Sequence, residues 1–169
     1  MKQSAEIYEV DELRWMSLAY MDSGVTLAQS IINDDLESSP HRDLVPIFLV
    51  HQALELMFKS ALKLKLGSFP KSHNLEKLHT DFCQHFPDHA FYIPDVVLAP
   101  RSKNYHLFPE LESTPIVQHE RLRYPTDRKG NPWPKPQIAP IQEWYEELCS
   151  LHQPILKIWN TINVEIDNA

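Results

Sequence analysis

The sequence predicts an all-α protein that carries one long proline-rich insertion. The chain has only three glycines, and ten of its fourteen prolines lie between Pro87 and Pro140. Apolar residues recur at helical spacing before this segment and again near the C-terminus, whereas the segment itself shows no such period. A chain of 169 residues is long enough for one domain with a sizeable core. We therefore expect a single helical domain with an insertion before its last helix.

The first two predicted helices are defined by their apolar stripes and their end signals. The first has a broken stripe, and Gly24 weakens its middle. The second can be capped by Asp43 and stopped by Gly67. Pro46 then falls in the first turn, where its missing N–H costs no hydrogen bond. These helices span residues 11–32 and 43–66.

The third and last helices are predicted in the same way. Ser72 or Asn74 can cap the third, because both side chains accept hydrogen bonds from backbone N–H groups. Pro154 should kink the last helix, because its ring removes one backbone hydrogen bond. The insertion between them is too long for a featureless loop, so we expect it to be ordered against the helices or to be functional. The two helices and the insertion span residues 73–86, 140–164 and 87–139.

The composition excludes several classes of protein. A net charge of −7 disfavours tight, sequence-independent binding of nucleic acid, although residues 101–136 carry seven basic and four acidic side chains. Three glycines leave no room for a P-loop or a dinucleotide-binding motif. No spacing of histidines and cysteines is typical of a metal site, so we expect neither a metal nor a cofactor.

The sequence also predicts a cytoplasmic location. The N-terminus lacks the apolar run of a signal peptide. The longest apolar run, Ile47–Val50, is too short to span a bilayer. Cys83 and Cys149 lie far apart in segments of helical pattern, so we expect reduced, buried thiols.

The second helix carries one line of polar residues on an otherwise apolar surface. His51, Glu55 and Lys59 recur at intervals of four, with Gln52 and Lys63 beside them. A glutamate four residues before a lysine is the favourable order for a helical ion pair, worth about 0.2–0.5 kcal/mol when exposed. Taken alone, such a line is typical of a helix edge that faces water. The alternative is a packed polar seam between helices.

Three short motifs follow one another over roughly residues 50–125. They read "QALELMFKSALKLKLG", "KSHNLEKL" and "LRYP". In this order they resemble the Q-x-A-E-K-x-x-K-A-L helix, the T-H-D-L signature and the A-R-Y-P element of the HEPN family, the higher eukaryotes and prokaryotes nucleotide-binding domain. The residues that carry the resemblance are Gln52, Glu55, Lys59, Ala61, Leu62, Ser72–Leu75 and Leu122–Pro125.

The resemblance implies an up-and-down bundle of four or five helices, commonly a homodimer. It also implies that Glu55 and Lys59 face a groove between helices, with Arg123 brought back over them. A buried carboxylate needs a partner, and a guanidinium suits it well. Two interpretations stay open. Glu55, Lys59 and Arg123 form a structural network, or Lys59 and Arg123 contribute to a ligand site together with Tyr124.

The segment "QHERLRYP" is a second candidate for ligand binding. In a short strand His119, Arg121 and Arg123 project to one side, because strand side chains alternate. Such a row suits phosphate or carboxylate, unless the arginines pair with acidic residues of the terminal helices. His73 precedes the third helix and can point toward an anion at the helix N-terminus, or it can belong to the helix cap.

A catalytic alternative depends on Arg101 and His106. Catalytic members of the HEPN family are metal-independent ribonucleases marked by Arg-x(4–6)-His, in which a cation stabilises the phosphorane and an imidazole moves protons. Arg101 and His106 have this spacing, but they lie in the insertion rather than on a late helix. The last helix offers His152 and no arginine.

Three functions follow from these patterns. The first is an HEPN-like module that binds a nucleotide, RNA or a protein partner; family analogy suggests a nucleotidyltransferase in a two-component defence or toxin–antitoxin system. The second is a metal-independent endoribonuclease that uses Arg101 and His106. The third is a non-catalytic dimerisation or assembly module.

Overall fold

Helices make up most of the chain in a computed structural model, which describes residues 2–33, 40–94, 97, 129–132 and 141–167. No strand occurs in these ranges, so the prediction of an all-α helical bundle is confirmed. Short 3₁₀ turns flank the insertion at Pro87–His89 and Ile141–Glu143. The helices are α1 (Lys2–Ile32), α2 (Pro40–Leu66), α3 (Leu75–His85), α4 (Tyr145–Ser150) and α5 (His152–Asp167).

Helices α1 and α2 form a long antiparallel pair. The hydroxyl of Ser17 donates to the carbonyl of Ala53 at 2.6 Å. Nearer the start of α1, Glu9 Oε2 lies 4.0 Å from Lys63 Nζ, which is nearer the end of α2. Gly24, further along α1, lies against the first part of α2. Contacts therefore run in opposite directions along the two helices.

Helix α2 is the central element of the core. Phe58 packs against Phe82 of α3 with ring centroids 4.9 Å apart. The segment Arg42–Leu66 is long and apolar enough to cross a membrane by length and composition alone, yet 67% of its most apolar window is buried inside the bundle. Contact with α1 on one side and α3 on another accounts for this apolar character. Its completely buried side chains include Ala53, Leu54, Met57, Phe58, Ala61 and Leu62.

The C-terminal helices complete the core against α1 and α2. Arg14 of α1 lies over the ring of Trp159 on α5, 4.2 Å from the ring centroid, and it pairs with Asp11 on its own helix. Such a cation–π contact lets an arginine enter an apolar interface. The apolar face of this region consists of Trp144, Leu148, Leu151, Ile155, Ile158 and Ile162.

Helices α1 and α2 both begin earlier than the apolar spacing predicts. Helix α1 starts at Lys2 and α2 at Pro40. Proline favours the first position of a helix because its φ angle is already helical and its missing N–H is not needed there. Asp43, predicted as the cap of α2, therefore lies inside the helix, and Pro46 lies beyond the first turn.

The other helix ends follow from local hydrogen bonds. Asn74 rather than Ser72 caps α3, because its side-chain oxygen accepts the N–H of Lys77 at 3.2 Å. The predicted kink of the last helix occurs as a break at Leu151, between α4 and α5. Pro154 lacks the N–H that would bond the carbonyl four residues earlier, and its ring displaces that carbonyl.

Only part of the predicted insertion is among the described residues. These are residues 87–94, 97 and 129–132. The strand predicted within "PIVQHERLRYP" lies outside them, and so does Trp133.

The close approach of α1 and α2 at Gly24 predicts the effect of Gly24→Ala. A Cβ atom there would lie 3.0 Å from Val50 Cγ2, 3.2 Å from Leu49 Cβ and 3.2 Å from the carbonyl oxygen of Pro46. Alanine gains about 1 kcal/mol of helix propensity, but overpacking costs about 1–3 kcal/mol. Because two of the three neighbouring atoms are fixed to the α2 backbone, we expect the free energy of unfolding to fall by about 1 kcal/mol in urea denaturation.

The matched control is Ser23→Ala, which changes the exposed neighbouring position and should alter stability by less than about 0.5 kcal/mol. A Gly24→Ala protein more stable than the wild type would show that the two helices separate at little cost.

Candidate functional site

The polar line of α2 is packed between helices. His51, Gln52 and Glu55 are all buried, and the side chain of Lys59 is only 13% exposed. The line does not form a water-facing edge, which its spacing taken alone would indicate. These residues instead form the packed polar seam that was the alternative interpretation.

Glu55 binds two side chains through one oxygen atom. Lys59 Nζ donates to Glu55 Oε1 at 3.0 Å, and His73 Nδ1 lies 2.9 Å from the same oxygen. Because an ionised carboxylate can only accept, Nδ1 of His73 carries the proton and donates. The two nitrogen atoms are 3.4 Å apart. We call Glu55, Lys59 and His73 the Glu55 cluster.

Local sequence places these three side chains. Glu55 and Lys59 share a face of α2 because they are four residues apart. His73 reaches them from the loop before α3. The Ser72 hydroxyl accepts the N–H of Asn74 at 3.0 Å, and Asn74 caps α3, so the course of this loop is fixed. The cluster therefore joins α2 to the start of α3.

The Glu55 carboxylate stays ionised although it is buried. Burial by itself raises the pKa of Glu55, but hydrogen bonds and charge interactions with Lys59, and then with His73, outweigh it, so the pKa lies below its ordinary value. The second carboxylate oxygen, Oε2, is also buried and has no hydrogen-bond partner among the described residues. The ionised form therefore depends on the two donors at Oε1.

The seam continues toward the start of α2 through His51. Its Nδ1 lies 3.0 Å from the carbonyl oxygen of Val97. A carbonyl only accepts, so this nitrogen donates. His51 thus ties α2 to a residue of the insertion.

A second polar cluster lies on α3. His79 Nε2 donates to the carbonyl of Phe91 at 2.9 Å, and Cys83 Sγ lies 3.3 Å from the same nitrogen. The His79 ring also packs against the rings of Phe58 and Phe91. This cluster was not predicted from the sequence, although the four-residue spacing of His79 and Cys83 places both side chains on one face of a helix.

The chemistry of this second cluster is structural rather than nucleophilic. Burial raises the pKa of the Cys83 thiol, and the backbone of Phe91 offsets this only in part. Burial lowers the pKa of His79, again partly offset by the bond to Phe91. A neutral thiol beside a neutral imidazole lacks the thiolate that a cysteine nucleophile needs.

The structure brings some predicted site residues together and leaves others undescribed. Lys59 and His73 meet at Glu55. The other predicted site residues lie outside the described part of the chain, so their roles stay predictions. They are Arg101, His106, His119, Arg121, Arg123 and Tyr124. Within the described part, no group of three or more His, Cys, Asp or Glu side chains is arranged to hold a metal ion.

Comparison with known proteins does not assign the chain to a family. No protein-family model, no curated protein and no solved structure matches the chain.

The three side chains of the Glu55 cluster differ in their exposure to solvent. The side chain of Glu55 is 4% exposed, that of Lys59 13% and that of His73 54%. The carboxylate therefore stays in the bundle while the imidazole that it orients reaches the surface. Lys59 can supply positive charge, and His73 can exchange a proton. Such an arrangement can bind an anion and can perform acid–base chemistry.

The buried pair predicts a loss of stability in Lys59→Met. Methionine keeps the apolar stem but removes the ammonium, which leaves the Glu55 charge with His73 alone. Breaking a buried pair costs about 3–5 kcal/mol; because His73 remains, we expect a loss of about 2 kcal/mol in urea denaturation. Lys157→Met, at an exposed position of α5, should change stability little. Equal stability of the two variants would contradict the importance of the pair.

The half-buried His79 predicts a dependence of stability on pH. Its pKa in the folded state lies below 6.5, so the unfolded chain takes up a proton more readily. The contribution of neutral His79 is fully present above about pH 6.5 and is lost as the pH falls through the folded-state pKa. In urea denaturation between about pH 7.5 and 5, we expect the unfolding free energy of His79→Gln to change less with pH than that of the wild type.

His85→Gln is the matched control, because His85 lies exposed on the same helix. It should keep the wild-type dependence on pH. The same slope in His79→Gln as in the wild type would exclude His79 as the titrating group.

Proposed function

We propose that the chain is an HEPN-like helical module that binds the phosphate group of a nucleotide or of RNA at the Glu55 cluster. One observation carries this proposal. A buried carboxylate holds the ammonium of Lys59 and the imidazole of His73 on a single oxygen, 3.0 and 2.9 Å away. Donors that are held in place before a ligand arrives lose less freedom when it binds.

The HEPN resemblance supports the same site. Its first motif contributes Glu55 and Lys59, and its second motif contributes His73. Glu55 and His73 are 18 positions apart in the sequence, yet their side chains are in contact. A helical bundle is also the architecture that the resemblance implies. By the same analogy we propose a homodimer and a nucleotidyltransferase as the protein partner.

Charge favours a small phosphate ester or a short RNA over a long polyanion. The chain carries a net charge of −7, so the protein as a whole gives a polyanion little attraction. The site lies just before α3, where the positive end of the helix dipole adds to the charge of Lys59. Recognition therefore depends on a few local contacts.

Binding measurements with a defined anion test the proposal. We expect ATP, or a single-stranded 2′-deoxy oligonucleotide, to bind the wild type in isothermal titration calorimetry. In the protonated imidazole both nitrogens donate, so Nε2–H can bond a phosphate while Nδ1–H bonds Glu55. His73→Gln removes that hydrogen bond to a charged group, worth about 1.5–3 kcal/mol, so affinity should fall about tenfold or more. His73 is half exposed, so this variant should fold normally, which circular dichroism verifies.

His152→Gln provides the matched control. His152 also bonds a carboxylate, Asp22, at 3.0 Å, but that pair lies on the surface. Its loss should leave binding unchanged. Equal weakening in both variants would indicate a nonspecific charge effect, and absence of binding to the wild type would contradict the proposed function.

A further inference from the structure

We infer that the outer face of α1 is a docking surface for a basic amphipathic helix of a partner protein. Three large apolar side chains of this helix are exposed: Tyr8 by 64%, Trp15 by 53% and Met16 by 44%. Exposed apolar patches rimmed by polar residues mark sites of interaction. The surface is separate from the Glu55 cluster, because Trp15 and Ser17, which bonds α2, lie on nearly opposite sides of α1.

Exposed residues of α1 follow the spacing that contact with a second helix requires. Six of them are alternately four and three positions apart, so they lie along one side of the helix. They are Tyr8, Glu12, Trp15, Ala19, Asp22 and Thr26. In coiled coils, side chains with this spacing form the seam between two helices. The small side chain of Ala19, one turn from the large ring of Trp15, leaves room for an apolar side chain of the partner.

Contacts with α5 hold the Trp15 ring in place. The ring packs edge-on against Trp159, with ring centroids 5.1 Å apart and an interplanar angle of 76°. The guanidinium of Arg14 lies 4.2 Å from the ring centroid of Trp159 and 5.7 Å from that of Trp15. A ring that is already fixed loses little freedom on binding, and tryptophan is enriched among the residues that dominate binding energy. We therefore expect Trp15 to be the anchor of the surface.

Charge identifies the partner as basic and argues against a second copy of this chain at this face. Helix α1 carries five acidic and two basic residues. Arg14 is the only basic residue between positions 8 and 33 of the sequence, and it is 3% exposed and paired with Asp11. Glu12 lies exposed within the line. Two copies of this face would bring like charges together, which disfavours association. Lysine or arginine beside an apolar stripe complements it.

Selection from a library of displayed peptides tests both the surface and its charge preference. Each peptide is about 20 residues long, enough to form a helix, with large apolar residues at the four-and-three spacing. The flanking positions offer lysine, glutamate and glutamine equally. The full chain selects at physiological salt, after depletion of the library on Ala19→Arg. We expect the enriched peptides to favour lysine over glutamate. Enrichment of glutamate, or of no peptide, would overturn the inference.

The affinity of the most enriched peptide, measured by fluorescence anisotropy, locates the surface. Trp15→Ala should weaken binding about tenfold or more, because a central aromatic residue supplies a large share of the binding energy. Ala19→Arg should prevent binding by filling the space beside Trp15. Since Ala19 is exposed, this variant should fold normally, which circular dichroism verifies.

Two matched controls make the same substitutions at exposed positions outside α1. Tyr92→Ala truncates an aromatic side chain that is 74% exposed, and Ala90→Arg places arginine in the same loop. Both should bind the peptide as the wild type does. Unchanged binding by Ala19→Arg would contradict the assigned surface, and so would equal weakening by the controls.

Analytical ultracentrifugation distinguishes a separate partner from a second copy. If another protein occupies the face, the wild type and Ala19→Arg should have the same oligomeric state. A wild-type dimer that becomes a monomer in Ala19→Arg would assign the face to self-association and overturn the inference. His73→Gln should bind the peptide with wild-type affinity, so failure of the proposed phosphate site would leave this surface unaffected.

Discussion

The burial of Glu55 is the constraint on which the placement of α3 depends. An ionised carboxylate inside a bundle costs several kcal/mol unless it is paired. Lys59 lies one helical turn away and supplies the first partner. The second, His73, is 18 residues distant, so satisfying Glu55 draws the loop before α3 onto α2. Packing of α3 against the aromatic side chains of α2 then follows from that position.

The same rule governs the other polar contacts between elements. Ser17 enters the α1–α2 interface because its hydroxyl reaches the carbonyl of Ala53. Arg14 lies between α1 and α5 because the ring of Trp159 accepts its charge. His79 is packed among aromatic rings and bonds the carbonyl of Phe91. Satisfied polar contacts of this kind specify one arrangement of the helices among the many that apolar packing alone permits.

The helices could be predicted from the sequence more readily than the contacts made by loops. The apolar period identified α2, because burial on several sides leaves a dense pattern. The start of α2 was missed, because Pro40 begins this helix before the apolar stripe does. The start of α1 at Lys2 was missed as well. The contact of His73 with Glu55 could not be derived from spacing, because a loop of unknown course separates them. A family resemblance selected both residues but gave no geometry for them. Helical spacing alone could have indicated His79 and Cys83.

The exposure of the Glu55 cluster bears on why a histidine occupies position 73. A purely structural partner for a buried carboxylate is better supplied by arginine, whose planar fork makes two hydrogen bonds and never loses its charge. Histidine makes one bond to Glu55 and leaves Oε2 without a partner among the described residues. What it offers instead is a second ring nitrogen on a side chain that is 54% exposed. The residue type therefore fits a contact with a bound molecule, as proposed above, better than it fits the stabilisation of Glu55 alone.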